Sequence, residues 1–146
     1  MTFDRHGMAL SILRIFIGIF FLAAGLNKLQ WFGDTSLLAR QLANWLRTTP
    51  DDSMSHWYLE HVAMPGVAVF ARLVPLGEII SGLSLLIGFW TPVFASIAFF
   101  MVLNYHFAGG LLSKYSSLTN GFVLPVLGAT LALAIGGLRL PWSIRR

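Results

Sequence analysis

Four polar residues interrupt the long apolar stretches of this sequence: Arg14, Glu78, Asn104 and His106. A charge at the centre of a membrane-spanning helix costs about 2.5–3.5 kcal/mol on insertion scales, so such groups are usually paired or used in chemistry. A carboxylate beside a cation can form a structural ion pair, relay a proton or anchor a polar ligand. For Arg14, contact with lipid head groups is a further role. The sequence leaves these roles open.

Two cations of the first apolar stretch share one helical face with two glycines. Arg14, Gly18, Phe21, Gly25 and Lys28 follow one another at spacings of four, three, four and three residues. At about 100° per residue, these positions fall within a stripe about 80° wide. Small residues allow a neighbouring helix in a membrane to approach closely. The stripe therefore predicts a tight helix contact that carries a cation near each of its ends.

A second stripe, on a later apolar stretch, supplies a carboxylate. One face of that stretch holds Ala71, Glu78, Gly82, Leu85 and Phe89. An unpaired carboxylate at this depth is costly or takes up a proton, so we expect Glu78 to pair with Arg14 or with Lys28. A helical wheel shows which residues share a face, but not which helix lies against that face. The sequence therefore does not decide between Arg14 and Lys28 as the partner of Glu78.

His106, in the sequence MVLNYHFAGG, is the remaining titratable candidate. Its imidazole titrates near neutrality, so it could contact a quinone or transfer protons, or it could be a hydrogen-bonded packing residue. No second intramembrane histidine is present in the sequence to complete a bis-histidine site, which disfavours haem. His56, Glu60 and His61 lie in a loop and are weak evidence for zinc, so we predict no metal site.

The composition indicates an integral membrane protein. Of the 146 residues, 56% are hydrophobic and 11% are charged, against about half and about a quarter in soluble domains. The formal net charge of +4 is scattered without a basic run, so nucleic acid is not an expected partner. The sequence has no cysteine, which removes disulfides, thiol relays and iron–sulfur ligation. Any redox role therefore needs a bound cofactor or a partner subunit.

Four apolar segments are each long enough to cross the hydrocarbon layer, which is roughly 30 Å thick. We place them at about residues 8–31, 67–90, 93–112 and 121–140 of a single domain, 1–146. Trp31, Trp90 and Trp142 are expected at the membrane interfaces. The predicted fold class is all-α: a polytopic membrane protein with a four-transmembrane-helix bundle and the lipid bilayer around it.

The segment between the first two spans, residues 32–66, is predicted to lie outside the membrane. Its sequence SLLARQLANWLR puts apolar residues on one side of a helix and Arg40, Asn44 and Arg47 on the other. We therefore expect an amphipathic helical loop between the first two spans, on the membrane surface or over the bundle. We interpret it as a structural lid, with partner docking or substrate gating as the alternative.

Four spans put both termini on one side of the membrane. Lysine and arginine residues are almost evenly divided between the two sides of the membrane, so the positive-inside rule hardly distinguishes the two possible orientations. We place both termini in the cytoplasm because Arg145 and Arg146 lie outside the bilayer.

Two motifs resemble the DoxX family of small four-helix bacterial membrane proteins. They are LRIFIGIFFLAAGLNKL in the first span and PLGEIISGLSLLIGFWTP in the second. The family pattern of arginine, glycine, glycine and lysine falls on Arg14, Gly18, Gly25 and Lys28. The second-helix pattern of a glutamate, a small residue and a Leu-Leu-x-Gly ending falls on Glu78, Gly82, Leu85, Leu86 and Gly88. The resemblance covers about residues 10–140, and we assign the glycines a structural role.

The resemblance implies a bacterial cytoplasmic membrane protein, and the relatives include a subunit of a thiosulfate:quinone oxidoreductase. Under the first hypothesis, this is an accessory or quinone-reducing subunit that receives electrons from a partner subunit. Arg14, Lys28, Glu78 and His106 would then hold the quinone head group, with Glu78 and His106 moving protons. The alternatives are a non-catalytic scaffold or accessory subunit, and a protein that binds a lipid or a small anion. A homo-oligomer is compatible with each.

Overall fold

All the regular secondary structure in the part of the chain that the structure describes is helical. The computed structural model describes residues 5–112 and 114–144, so Arg145 and Arg146, which support the predicted orientation, lie outside the described residues. The α-helices in chain order are α1 (Arg5–Leu26), α2 (Ser36–Thr48), α3 (Met54–Tyr58), α4 (Val67–Ile87), α5 (Thr91–Ala108), α6 (Ser116–Thr119) and α7 (Leu124–Gly136). A 3₁₀ turn at Leu29–Phe32 follows α1, and a π-helical turn at Leu59–Ala63 follows α3.

Three of these helices, α1, α4 and α5, are long and apolar enough to cross a membrane. The fourth apolar helix, α7, has 13 residues and is about 20 Å long at 1.5 Å per residue. It is shorter than the predicted span because Pro125 lies in its first turn and Gly137 caps its end. A fourth complete crossing therefore stays a prediction.

The four apolar helices pack in a closed ring. The most extensive contact joins α1 to α4, and the next joins α5 to α7. Smaller contacts between α4 and α5 and between α1 and α7 complete the ring. The pairing of α1 with α4 agrees with the small-residue faces of the two helices, which allow their backbones to approach closely.

Glycines lie where the backbones of α1 and α4 meet. A Cβ atom on Gly82 would lie 2.5 Å from the backbone nitrogen of Leu22, and one on Gly18 would lie 2.9 Å from the backbone nitrogen of Leu86. A Cβ on Gly25 would lie 2.7 Å from Cγ1 of Ile79. No side chain fits at these positions unless the two backbones move apart. The α1–α4 distance is therefore set by glycine at three successive levels.

The segment between α1 and α4 folds back on the bundle. Leu38 and Leu42 of α2 are buried together with Trp31, while Arg40 and Arg47 are exposed. Trp31 was expected at a membrane interface, but only 7% of its surface is exposed. Its ring is covered because the chain turns immediately after α1 and lays α2 over it. The buried face of α2 thus extends the core beyond the end of α1.

Replacing Gly82 with alanine tests the close contact between α1 and α4. The added Cβ would press on the backbone of Leu22, so we expect Gly82→Ala to lower the free energy of unfolding by about 1–3 kcal/mol. Gly128→Ala in α7 is the matched control because a Cβ there meets nothing within 4 Å. Alanine favours a helix over glycine by about 0.5–1 kcal/mol, so the control should be neutral or slightly stabilising. Unfolding in mixed micelles measures both, and equal stabilities would contradict the packing described.

Candidate functional site

Lys28 and Glu78 form an ion pair beside the end of α1. The ammonium group of Lys28 lies 2.8 Å from both carboxylate oxygens of Glu78 and donates a weaker bond, 3.3 Å long, to the carbonyl of Ala24. The two side chains are 20% and 13% exposed, so the pair is largely shielded. Gly25 makes the contact possible, because its missing side chain brings α1 within van der Waals distance of the Cβ atom of Glu78. The structure thus pairs Glu78 with Lys28.

Arg14 lies near the opposite end of the α1–α4 contact and is fully buried. Its guanidinium donates hydrogen bonds of 2.9 Å to the carbonyl oxygens of Leu85 and Trp142, and a longer bond of 3.5 Å to that of Leu86. These bonds satisfy carbonyls at the C-terminus of α4, where the helix dipole also favours a cation. Arg14 therefore joins α1, α4 and the C-terminal segment.

The end of α4 is shaped to receive this guanidinium. Gly88 caps the helix in the left-handed region, with φ of 71°, and a Cβ atom there would collide with Arg14. The amide of Ile144 donates to the carbonyl of Ile87, so the C-terminal segment also closes the helix end. Arg14 is about 20 Å from Lys28 along α1 at 1.5 Å per residue. The structure therefore does not bring Arg14 together with the other predicted site residues.

A cavity of about 900 Å³ lies between α1, α4 and α5, with α2 over one side. Its wall is mostly apolar and includes residues from all four helices. The wall also carries several polar side chains, those of Lys28, Gln41, Tyr58, Glu78, Asn104, Tyr105, His106 and Asn120. Three of the predicted site residues thus line one cavity, and the wall has the apolar character with a few polar groups that is typical of small-molecule sites.

His106 is nearly buried in this wall, with 6% of its surface exposed. Its Nε2 lies 3.2 Å from the carbonyl oxygen of Phe122. A carbonyl only accepts, so Nε2 donates and the neutral ring presents Nδ1 as an acceptor. Nδ1 has no hydrogen-bond partner among the described residues. A buried acceptor without a donor is costly, and a hydroxyl on a bound molecule would satisfy it.

Gln41 and Tyr105 complete the polar part of the wall, and the sequence analysis did not select them. The amide of Gln41 lies 2.5 Å from the Tyr105 hydroxyl, and the Trp45 ring meets the Tyr105 ring edge-on at 4.8 Å between centroids. These contacts hold α2 against α5. The available signal was the position of Gln41, a polar residue between Leu38 and Trp45 on the otherwise apolar face of α2.

The wall is suited to a molecule with a neutral polar head and an apolar remainder. Lys28 is already neutralised by Glu78, so the polar end offers hydrogen bonds without net charge. Within the described ranges, 5–112 and 114–144, there is no group of three or more histidine and carboxylate side chains that could hold a metal ion. His56 and His61 lie outside the cavity wall, and His61 stacks on Trp57.

Comparison with known proteins gives one match. The family model described as DoxX matches residues 9–110, which include most of α1, the whole segment between α1 and α4, and all of α4 and α5. No curated protein and no solved structure matches the chain. The matched range contains all of the cavity's predicted site residues.

Arg14→Lys tests whether the guanidinium fork holds α4 to the C-terminal segment. A lysine keeps the charge but offers a single compact ammonium group that cannot reach both the Leu85 and Trp142 carbonyls. We expect the free energy of unfolding to fall by about 2–4 kcal/mol, since bonds to charged groups are worth about 1.5–3 kcal/mol each. The amide of Ile144 should also exchange hydrogen faster.

Arg72→Lys is the matched control, because Arg72 is exposed and bonds to a carbonyl of its own helix, that of Ala68. It should leave stability and the exchange rate of Ile144 unchanged. An Arg14→Lys protein as stable as this control, with Ile144 still protected, would show that Arg14 does not hold the helix end.

Proposed function

This chain belongs to the DoxX family, and we propose that it is the quinone-binding subunit of a membrane-associated oxidoreductase complex. One observation carries the proposal: a cavity of about 900 Å³ has an apolar wall with the Lys28–Glu78 pair and His106 in it. The family places the chain in a membrane, where quinones are dissolved. The three helices that could cross a membrane are also those that form the cavity.

The polar groups suit a quinone head. A quinone ring has two carbonyl oxygens, and its reduction to the quinol turns them into two hydroxyls. The site therefore needs hydrogen-bond donors for the quinone and acceptors for the quinol. Lys28 and the Asn104 amide can donate, while Glu78 and Nδ1 of His106 can accept. The volume is near the top of the range of about 300–1,000 Å³ that is usual for ligand pockets, which leaves room for apolar substituents.

Reduction of a quinone to a quinol consumes two electrons and two protons. We assign the electrons to a redox-active partner subunit and the proton handling to this chain. We assign the proton transfer to Glu78 and His106, a carboxylate and an imidazole on the cavity wall, and Lys28 lies at hydrogen-bond distance from the Glu78 carboxylate.

The same geometry disfavours an anion as the ligand. A phosphate or carboxylate would have to displace Glu78 from Lys28, and the ion pair has 2.8 Å contacts to both carboxylate oxygens. Arg14, the other cation of the α1 face, is engaged with two carbonyls at the far end of α4 and with one of the C-terminal segment. The polar groups of the cavity therefore suit a neutral ligand better than an anion.

Tryptophan fluorescence tests the proposal directly, because Trp31 and Trp45 line the cavity and quinones quench indole emission. A short-tailed benzoquinone titrated into the protein in detergent should quench saturably. Glu78→Gln should weaken binding about tenfold, since a charge-assisted hydrogen bond is worth about 1.5 kcal/mol or more and tenfold corresponds to about 1.4 kcal/mol.

Glu60→Gln is the matched control, because Glu60 is an exposed carboxylate in the π-helical turn, outside the cavity wall. It should bind as the unaltered protein does. Linear quenching that is equal in all three proteins would overturn the proposal. A Glu78→Gln protein that binds normally but melts at a lower temperature would assign Glu78 to the scaffold function instead.

A further inference from the structure

We propose that the ligand enters the cavity sideways from the lipid bilayer, between α4 and α5, and that its apolar tail remains in this opening. The inference rests on the proposed function and names its substrate class: a long-tailed, lipid-soluble quinone. We call the gap between α4 and α5 that is lined by Leu73, Gly77, Ile97, Phe100 and Met101 the lateral opening.

The first observation is that residues on the cavity wall are also exposed on the outer surface of the bundle. Leu73 of α4 is 58% exposed, and Ile97 and Phe100 of α5 are 41% and 64% exposed. A side chain that lines the cavity and is more than one-third exposed stands at a place where the cavity meets the outside. These three residues are apolar and lie on helices that could cross a membrane, so the outside here is lipid.

Aromatic and polar contacts bridge two other sides of the cavity. The Phe20 ring of α1 stacks on the Phe122 ring at 6.0 Å between centroids, which connects α1 to the segment before α7. Gln41 and Trp45 fasten α2 to Tyr105 of α5 over the cavity. Phe122 is itself 62% exposed, so its stacking on Phe20 narrows that side of the cavity without sealing it. On the α4–α5 side no ring pair among the described residues bridges the helices, and Gly77 faces the Met101 side chain.

Gly77 sets the width of the lateral opening. It lies on the cavity wall one turn from Leu73, and a Cβ atom at this position would lie 2.9 Å from the sulfur of Met101. A larger side chain at position 77 would therefore fill the gap between α4 and α5. Met101 is flexible and can move aside for a slender apolar chain, since its side chain has several rotatable bonds.

The arrangement of polar groups gives the ligand its direction. Glu78 follows Gly77 in the sequence and faces Lys28 in the interior, while Leu73, Ile97 and Phe100 surround the outer side. A quinone therefore places its ring at the ion pair and its tail in the lateral opening. A tail that passes from the bilayer into the opening stays in apolar surroundings throughout, so binding exposes none of it to water.

Gly77→Leu, assayed with two ligands, tests the lateral opening. The leucine should obstruct a tail and leave the ring site intact, so affinity for a long-tailed quinone in phospholipid vesicles should fall at least tenfold. Affinity for a benzoquinone without a tail should change by less than threefold. Gly128→Leu in α7, where a Cβ meets nothing within 4 Å, is the matched control and should bind both ligands normally.

Photolabelling gives a second measurement that does not depend on how Gly77→Leu folds. A quinone with a diazirine on its tail should label the unaltered protein at Leu73, Ile97 or Phe100. The lateral opening would be overturned if labelling were confined to the surface of α1 or α7, or if Gly77→Leu bound the long-tailed quinone as the unaltered protein does. Binding of the tailless quinone to the unaltered protein would still support the ring site in that case. Failure of the tailless quinone to bind the unaltered protein would overturn the proposed function and this inference together.

Discussion

The close contact between α1 and α4 is the interaction on which the rest of the structure depends, and a shielded cation lies near each end of it. Glycines bring the two backbones together at three levels, so that neither helix can rotate or slide without a steric clash. At one end Arg14 binds the carbonyls that terminate α4. At the other, Lys28 binds the Glu78 carboxylate. The Lys28 charge is paired with a carboxylate, whereas the Arg14 guanidinium is held by backbone carbonyls alone and its Nε has no hydrogen-bond partner among the described residues.

The two ends of this contact have different consequences. Arg14 is fully buried and its partners are backbone carbonyls of α4 and the C-terminal segment, so its role is to hold three parts of the chain together. Lys28 and Glu78 stand on the wall of a cavity of about 900 Å³, next to side chains that can exchange hydrogen bonds with a ligand. The contacts of Arg14 at one end of the helix pair therefore help to fix the geometry at the other end, where Lys28 and Glu78 line the cavity. This division explains why one face of α1 carries two cations.

Sequence periodicity defines helical faces, but it does not decide which residues meet across them. The periodicity of Arg14, Gly18, Gly25 and Lys28 identified the face of α1 that contacts α4, because burial and spacing are local properties of a helix. It left Glu78 with two candidate partners, because the choice depends on the register between helices, which the glycine contacts decide. The contact of Gln41 with Tyr105 joins positions 64 residues apart, and no local pattern encodes it. Hydropathy predicted a span at about residues 121–140, and the helix α7 covers Leu124–Gly136 within it, with Pro125 in its first turn and Gly137 at its end.

Native mass spectrometry of the protein, extracted gently from its own membrane, tests the central claim most directly: that the α1–α4 contact builds a site for a neutral, lipid-soluble quinone. The account predicts one adduct per chain with the mass of a long-tailed quinone, present in the unaltered protein and strongly reduced when Glu78 is replaced by glutamine. Adducts of phospholipid alone, in equal amounts in the two proteins, would contradict it.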